Sequence, residues 1–440
     1  MLKQNCIENR LCGVHTGVVT APSPVYLEYK ELLILKKRIL IVSQHFWPEN
    51  FRISDIAQGF VENDIEVDVL CGLPNYPNGI IPEGYGYFKN TKQDYHGAKV
   101  YRSWEITRKG NSSLRIFLNY ISFPFFATFK SIGLMGKKYD AVFCYETSPV
   151  YMIFPAIFYS KIKKVPLTTY VLDLWPENFY SVVDIKNPFL RRICEVTSHW
   201  HYRKSDKLIA MSPSLKEKLS EITAKADDKI ATIPQYCEKF YEQEIVDETL
   251  TEKYKDYFKV VYAGNISPAQ NLEVAVDSAV LLKNDGITDV KFIIVGDGMS
   301  RRDIEKYAEE QGVKEYFDFL GSKPVTDMPL YHTLADCLLA PLAKSDLIGL
   351  TIPAKVTSYM AGRKPVITCI DGEGSNVIAK ANGGLTGESG NSRQLYENIK
   401  TLYSMPEAER KQLGENAFRY HLSHHERNKV LKQLIDFILN

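Results

Sequence analysis

Arg38-Ile-Leu-Ile-Val-Ser43 runs into the polar loop Gln44-His-Phe-Trp-Pro-Glu-Asn50, and a helical pattern follows from about Ile53 to Asn63. An unbroken aliphatic and β-branched run of this kind belongs in a parallel sheet covered on both faces. The pattern recurs at Glu66-Val-Asp-Val-Leu-Cys71, Ala141-Val-Phe-Cys-Tyr145 and Leu167-Thr-Thr-Tyr-Val-Leu172, with helical stretches between, which implies βαβ units. A second series begins at Lys259-Val-Val-Tyr-Ala263 and continues through 290–295, 317–320, 337–341 and 365–369. The chain therefore runs through one architecture twice, and the expected fold is α/β, two Rossmann-like domains facing across a cleft.

Length agrees, because 440 residues exceed what one ordinary core holds. The expected divisions are an N-terminal extension over 1–37, a first domain over 38–235, a polar and acidic linker over 236–256, and a second domain over 257–414. A hydrophobic share of 45%, a charged share of 24% and a net charge of +1 describe an ordinary soluble protein and argue against a nucleic-acid partner. Eight cysteines, Cys6, Cys12, Cys71, Cys144, Cys194, Cys237, Cys337 and Cys369, show no metal-ligand spacing and read as reduced thiols. With no signal-peptide pattern in the first residues, the expected location is cytoplasmic.

No stretch reaches the ~20 apolar residues of a spanning helix. The nearest, Ile116 to Met135, is interrupted by Asn119, Pro124 and Lys130 and flanked by Arg108, Lys109, Arg115, Lys137 and Lys138. It suits an interfacial helix inserting Phe123, Phe125, Phe126 and Phe129, or equally a core helix over the first sheet. The first reading makes a membrane surface a partner and the protein peripheral on the inner face of the cytoplasmic membrane.

Ligands of doubly wound sheets bind outside the carboxyl ends of the strands. At one such corner, Gly264 is followed by Asn265, Gln270 and Asn271, where a glycine lets backbone N–H groups approach a diphosphate. At the next, Gly296-Asp297-Gly298 places a carboxylate for a ribose or base, without the spacing of a dinucleotide fingerprint. At a third, Pro353 fits a first helical turn, so that Lys355 and the helix dipole share one phosphate, with Ser358 one turn on. In the first half, Asp173, Trp175 and Glu177 follow one strand and Glu49, Asn50 and Arg52 another, a polar and aromatic surface of the kind that holds a sugar. Each has a plainer alternative: a structural turn, a helix cap or a solvated lysine. No Asp-x-Asp motif stands at these corners, so no metal or other cofactor is required.

Ile39-Leu-Ile-Val-Ser-Gln-His-Phe-Trp-Pro-Glu49, Val171-Leu-Asp-Leu-Trp-Pro-Glu177, Tyr262-Ala-Gly-Asn-Ile266 and Pro353-Ala-Lys-Val-Thr-Ser-Tyr-Met-Ala361 with Lys364-Pro-Val-Ile367 resemble the retaining GT-B glycosyltransferases of family four. The resemblance covers nearly the whole chain from about Lys37. Within that family it is most similar to the branch that builds surface polysaccharides, including the N-acetylfucosamine transferases of O-antigen and capsule synthesis. It implies a hexosyl- or N-acetylhexosaminyl transfer from a nucleoside-diphosphate sugar, UDP foremost, held by the second domain. The acceptor, a polyprenyl-diphosphate-linked glycan, is held by the first. Asp173 and Lys355 become the catalytic candidates. Donor contacts fall on Gly264, Asn265, Gln270, Asn271, Gly296, Asp297, Gly298, Pro353 and Ser358, and acceptor contacts on Glu49, Asn50, Arg52, Trp175 and Glu177. The resemblance also implies a final helix, about 415–440, that crosses back to the first domain. The leaving diphosphate helps remove the acceptor proton, so positioning carries most of the catalysis.

The chain departs from the family pattern in three places. The usual glutamate pair falls on Leu350 and Ser358, the usual basic residues of the diphosphate site on Asn265 and Gln270, and the usual histidine on Leu172. Two other readings share the double fold. A nucleotide-sugar 2-epimerase needs acids and histidines in the cleft, and the Leu350 to Ser358 corner supplies none. A non-catalytic GT-B scaffold subunit needs only the fold.

Overall fold

In the computed structural model, which describes residues 36–110, 113–182, 187–345 and 347–440, the run after Lys37 enters the centre of an eight-stranded sheet. The strands of the first half are β1 (Arg38–Ser43), β2 (Glu66–Cys71), β3 (Lys92–Tyr95), β4 (Ala98–Arg102), β5 (Ala141–Glu146), β6 (Leu167–Val171), β7 (Lys207–Ala210) and β8 (Ile230–Thr232). Their order is β3-β4-β2-β1-β5-β6-β7-β8, parallel throughout except for β3 against β4. The second half builds β9 (Phe258–Ala263), β10 (Val290–Val295), β11 (Phe317–Gly321), β12 (Cys337–Pro341), β13 (Val366–Cys369) and β14 (Gly384–Gly387), ordered β11-β10-β9-β12-β13-β14. Strand order reverses beside β1 in one sheet and beside β9 in the other, the places where a doubly wound sheet opens a crevice.

The sequence pattern accounts for the central strands. β5 and β6 are buried at every position, as a run without polar alternation requires. The helix Ile53–Glu62 buries Ile53, Ile56, Ala57 and Phe60, one face at helical spacing, against the first sheet. Side-chain caps start other helices: Ser212 accepts from the Leu215 N–H, and Asn187 from the N–H groups of Phe189 and Leu190.

Several expectations need correcting. The expected linker over 236–256 is packed structure, with Tyr236 and Tyr254 buried and a short helix at Glu248–Lys253 capped by Asp247. The single crossing helix is two, Glu407–His424 and Arg427–Leu439, and only the second joins the first half's core, through Val430, Leu431, Leu434 and Ile438. The run Ile116 to Met135 lies mostly in the helix Ser113–Ile132, and Phe123 is fully buried in the core, so it cannot insert into a lipid surface. The opposite face carries Phe125 and Phe129, both exposed. The expected extension, apart from its last two residues, lies outside the described residues. Among the described residues no helix is long and apolar enough to cross a membrane.

The two halves touch directly. Ser212 Oγ donates to the Leu350 carbonyl, and Ser214 donates from its N–H (2.9 Å) and its hydroxyl (2.5 Å) to the Glu373 carboxylate. Leu350 itself packs against the first half's core.

Candidate active site

Where β9, β10 and β11 end, a cavity of about 360 Å³ opens, lined by Gly264, Asn265, Gly296, Asp297 and Ser358 together with Tyr241, Lys323 and His332. The volume suits a nucleotide-sized ligand. Gly298, Gln270, Asn271, Pro353 and Lys355 are not on its wall.

Lys355 nonetheless reaches the same corner from behind. Pro353 stands at the cap of the helix Ala354–Ala361, one position earlier than expected, with extended backbone (φ −62°, ψ 139°). That start turns Lys355 inward, where its ammonium lies 4.1 Å from the centroid of Tyr262 and donates to Gln270 Oε1. A Cβ added at Gly264 would meet Lys355 Nζ at 3.5 Å, so the glycine leaves the space in front of the ammonium open. Burial pulls the ammonium down to about 7, leaving it half-charged near neutrality and ready to gain a full charge when an anion arrives.

The glycines at the strand ends act differently from the expectation. The Gly264 N–H donates to the Val295 carbonyl and the Gly296 N–H to the Gly321 carbonyl, both at 2.9 Å, so neither donor is available to a phosphate. A Cβ on Gly296 would collide with the Gly264 carbonyl, and one on Gly298 with the Ile266 carbonyl. The two corner loops lie against each other, and only glycine permits it. Asp297 is exposed, accepts from the Gly298 N–H at 2.8 Å and pairs with Arg301 at 3.5 Å. Ser358 donates back to the Lys355 carbonyl at 3.0 Å, and Asn271 sits in a left-handed turn ahead of the helix Glu273–Asn284.

In the first half, Asp173 follows β6. Ser148, which follows β5, donates to Asp173 Oδ2 at 2.9 Å and accepts from Trp175 Nε1 at 2.9 Å. One hydroxyl thus fixes both the acid and the indole. Burial raises the Asp173 pKa, partly offset by bonds from Ser148 and Asn178. Behind it, Glu146 is fully buried, and burial, then repulsion from Asp173, holds its carboxyl well above the usual range. Trp175 stacks on Phe179 at 5.1 Å.

Glu49 and Arg52 are placed otherwise than expected. Glu49 is buried: it pairs with His45 Nδ1 at 2.7 Å and accepts from the N–H groups of Asn75 and Tyr76, bonds that outweigh burial and hold it below the usual carboxylate range. It braces the loop after β2 and has no open face for a sugar. The Arg52 guanidinium is committed to Gln235 and to both oxygens of Glu238, and although burial opposes its charge, Glu238 raises its pKa. Asn50 is exposed, and Glu177 opens the short helix Glu177–Val182 with Oε2 buried and unpaired among the described residues.

A family model described as Glycosyl transferases group 1 matches residues 247–420, the half that holds the cavity and Lys355. The match takes in less than half of the chain. Three quarters of the chain is similar to WcaI of Escherichia coli (strain K12), a glycosyl transferase provisionally assigned to colanic acid biosynthesis. That match is 23% identical over 348 residues, 75% of this chain and 83% of WcaI. A 2-deoxystreptamine glucosyltransferase of Streptomyces kanamyceticus is 28% identical over 145 residues; the match spans 33% of this chain and only 36% of that protein. Among solved structures, Anabaena HepE in complex with UDP and glucose superposes with a TM-score of 0.64 at 14% identity, covering 91% of this chain and 98% of HepE. That likeness shows the fold, which is GT-B.

The cavity's far wall holds residues that strand-end reading missed. His332 is buried, stacks on Tyr241 at 5.6 Å and meets the edge of Tyr359 at 5.2 Å; burial pushes it down to about 3, so it stays neutral. Lys323 and Ser322 follow β11, whose helical neighbours carry no motif that marks them. Tyr241 comes from the stretch read as linker, and its recruitment depends on contacts far apart in the chain.

Proposed function

We propose that the protein transfers a hexosyl or N-acetylhexosaminyl group, with retention, from a UDP-sugar to a polyprenyl-diphosphate-linked glycan in surface-polysaccharide assembly. One observation carries this reading: a nucleotide-sized cavity at the strand ends of the glycosyl transferase domain, with the Lys355 ammonium turned toward its Gly264 edge. A diphosphate at that edge faces one half-buried cation whose charge the phosphate itself completes. Tyr241, His332 and the loop after β11 offer an aromatic and backbone-rich slot for the base. HepE, with UDP and glucose bound, supports the choice of nucleotide. The Asp173, Ser148 and Trp175 cluster supplies the first half with an acceptor surface.

The polysaccharide role draws support from WcaI, and the lipid-linked acceptor from the protein's outer face. Leu114, Phe117, Ile121, Phe125, Phe129 and Ile132 form one exposed apolar stripe along the helix Ser113–Ile132, at steps of three and four. The helix Pro188–Lys204 exposes Phe189, Ile193, Val196 and Trp200 in the same manner, and Phe154 stacks on Trp200 at 6.4 Å. Lys130, Arg192 and Lys204 border these stripes, a composition suited to an anionic bilayer surface.

The test is a panel of UDP-, GDP- and dTDP-sugars, with binding measured by calorimetry and turnover measured with detergent-solubilised polyprenyl-diphosphate sugar. A UDP-sugar that binds, loses affinity in Lys355→Ala and turns over only with the lipid acceptor supports the reading. Failure of every donor to bind overturns it in favour of a scaffold, and interconversion of the free sugar nucleotide overturns it in favour of an epimerase.

A further inference from the structure

Arg108 lies between β4 and the helix Ser113–Ile132, and only 7% of it is exposed. Its guanidinium is gripped by two rings, 5.2 Å from the centroid of Tyr76 and 5.5 Å from that of Tyr120. One terminal nitrogen donates to Asn119 Oδ1 at 2.9 Å, and Nε is buried without a hydrogen-bond partner among the described residues. No carboxylate among the described residues forms a salt bridge with it.

Glu105 attracts it without closing a salt bridge. Glu105 is itself buried, and its oxygens accept from Asn75, Asn119 and Gln44. Burial, with repulsion from Glu49, pushes its carboxyl up to about 8 against the bonds from Asn119 and Asn75 and the attraction of Arg108. A buried guanidinium with an open Nε and no salt-bridged carboxylate is costly unless an anion completes it. Arginine between flat rings, with its donors held in plane, is suited to phosphate oxygens.

The position says which anion. Tyr120, one jaw of the grip, meets the edge of Trp175 at 6.4 Å, and Trp175 is tied through Ser148 to Asp173. On the same helix, Phe117 and Ile121 of the exposed apolar stripe lie within one turn of Asn119 and Tyr120. The cation therefore stands between the candidate acceptor surface and an apolar face, where the phosphate of a lipid-linked sugar would have to lie.

We propose that Arg108, clamped by Tyr76 and Tyr120, binds the phosphate group of the prenyl-linked acceptor, a second anion subsite separate from the donor diphosphate site at Lys355. The proposal rests on the acceptor class given above. It adds a residue that fixes the acceptor by its lipid phosphate and leaves the glycan to the Asp173 and Trp175 cluster.

The test uses the full chain saturated with UDP, so that the Lys355 site is filled, and titrates geranyl diphosphate, geraniol and phosphatidylglycerol vesicles. Wild type should bind geranyl diphosphate and not geraniol. Arg108→Gln should weaken geranyl diphosphate by about tenfold or more, the worth of a charge-assisted contact, with Arg108→Lys restoring part of the loss. UDP affinity, measured on the same samples, should not change, and it reports separately on the donor reading. Should Arg108→Gln fail to fold, Tyr76→Ala removes the outer ring, which is nearly half exposed, and should weaken the same probe. Undiminished geranyl diphosphate binding in a folded variant of either kind overturns the proposal. So does an Arg108 dependence seen only with the vesicles, which would assign the subsite to a bilayer headgroup.

Discussion

The Lys355 ammonium lies against the face of Tyr262, 4.1 Å from the ring centroid, in the half of the molecule that resembles group 1 glycosyl transferases. The ring and Gln270 hold it in place without neutralising it, so its charge depends on pH and on what lies in the adjacent cavity.

Nucleotide affinity should therefore depend on pH with a definite sign. Free Lys355 titrates at about 7, and a bound diphosphate favours the ammonium. Below 7 its contribution is constant; above 7 binding requires proton uptake, and UDP affinity should fall by up to about tenfold per pH unit. Calorimetry in buffers of different ionisation enthalpy checks both the slope and the proton. Lys355→Ala should bind more weakly at pH 7 and lose the slope.

Glu105 predicts a stability trend. Its folded pKa of about 8 lies above its ordinary 4.5, so the folded state holds a proton that the unfolded state releases. The contribution of Glu105 to stability should be full below about 4.5, decline as pH rises toward about 8, and level off beyond. Glu105→Gln keeps the shape of the protonated acid and should flatten the decline, so that its melting temperature overtakes the wild type's at pH 8.5. Parallel melting curves for the two proteins across pH 5 to 9 would count against the assignment.

Phe125 and Phe129 meet edge to face at 5.1 Å, and both are exposed. Replacing both with Glu removes exposed apolar surface and leaves the core intact, so the fold should change by no more than about 0.5 kcal/mol per site. Co-sedimentation with anionic vesicles should be lost. Retained sedimentation would place the lipid-binding surface elsewhere.

Leu431 is fully buried and sits over Gly59, where an added Cβ would collide with its methyl groups. Leu431→Ala should destabilise the protein by about 2–5 kcal/mol, read in chemical denaturation. Because the helix that bears it belongs to the first half's core, the loss should appear in the unfolding of that half.

The architecture was legible because it is periodic. The runs at Arg38–Ser43 and Lys259–Ala263 could satisfy their backbones and bury their side chains only as central parallel strands, and they occupy those places. The donor corner was partly legible for the same reason, since strand ends mark where ligands gather. What sequence could not show was how polar side chains are spent. Glu49 reads as a cleft residue until Asn75 and Tyr76, 26 and 27 positions on, claim its oxygens, and Arg52 until Glu238, 186 positions on, claims its guanidinium. Ser148 and Arg108 carry no motif. Their importance comes from Asp173, Trp175, Tyr76 and Tyr120, which only the folded chain brings to them.

The helix Arg427–Leu439 completes the core that β1 begins, nearly four hundred residues earlier. During synthesis the first sheet can form as it leaves the ribosome, but one wall stays open until Val430 to Ile438 have emerged. From the completion of that sheet until then the nascent chain carries an uncovered apolar groove, and a ribosome stalled anywhere in the second half leaves a product whose first half is also unfinished.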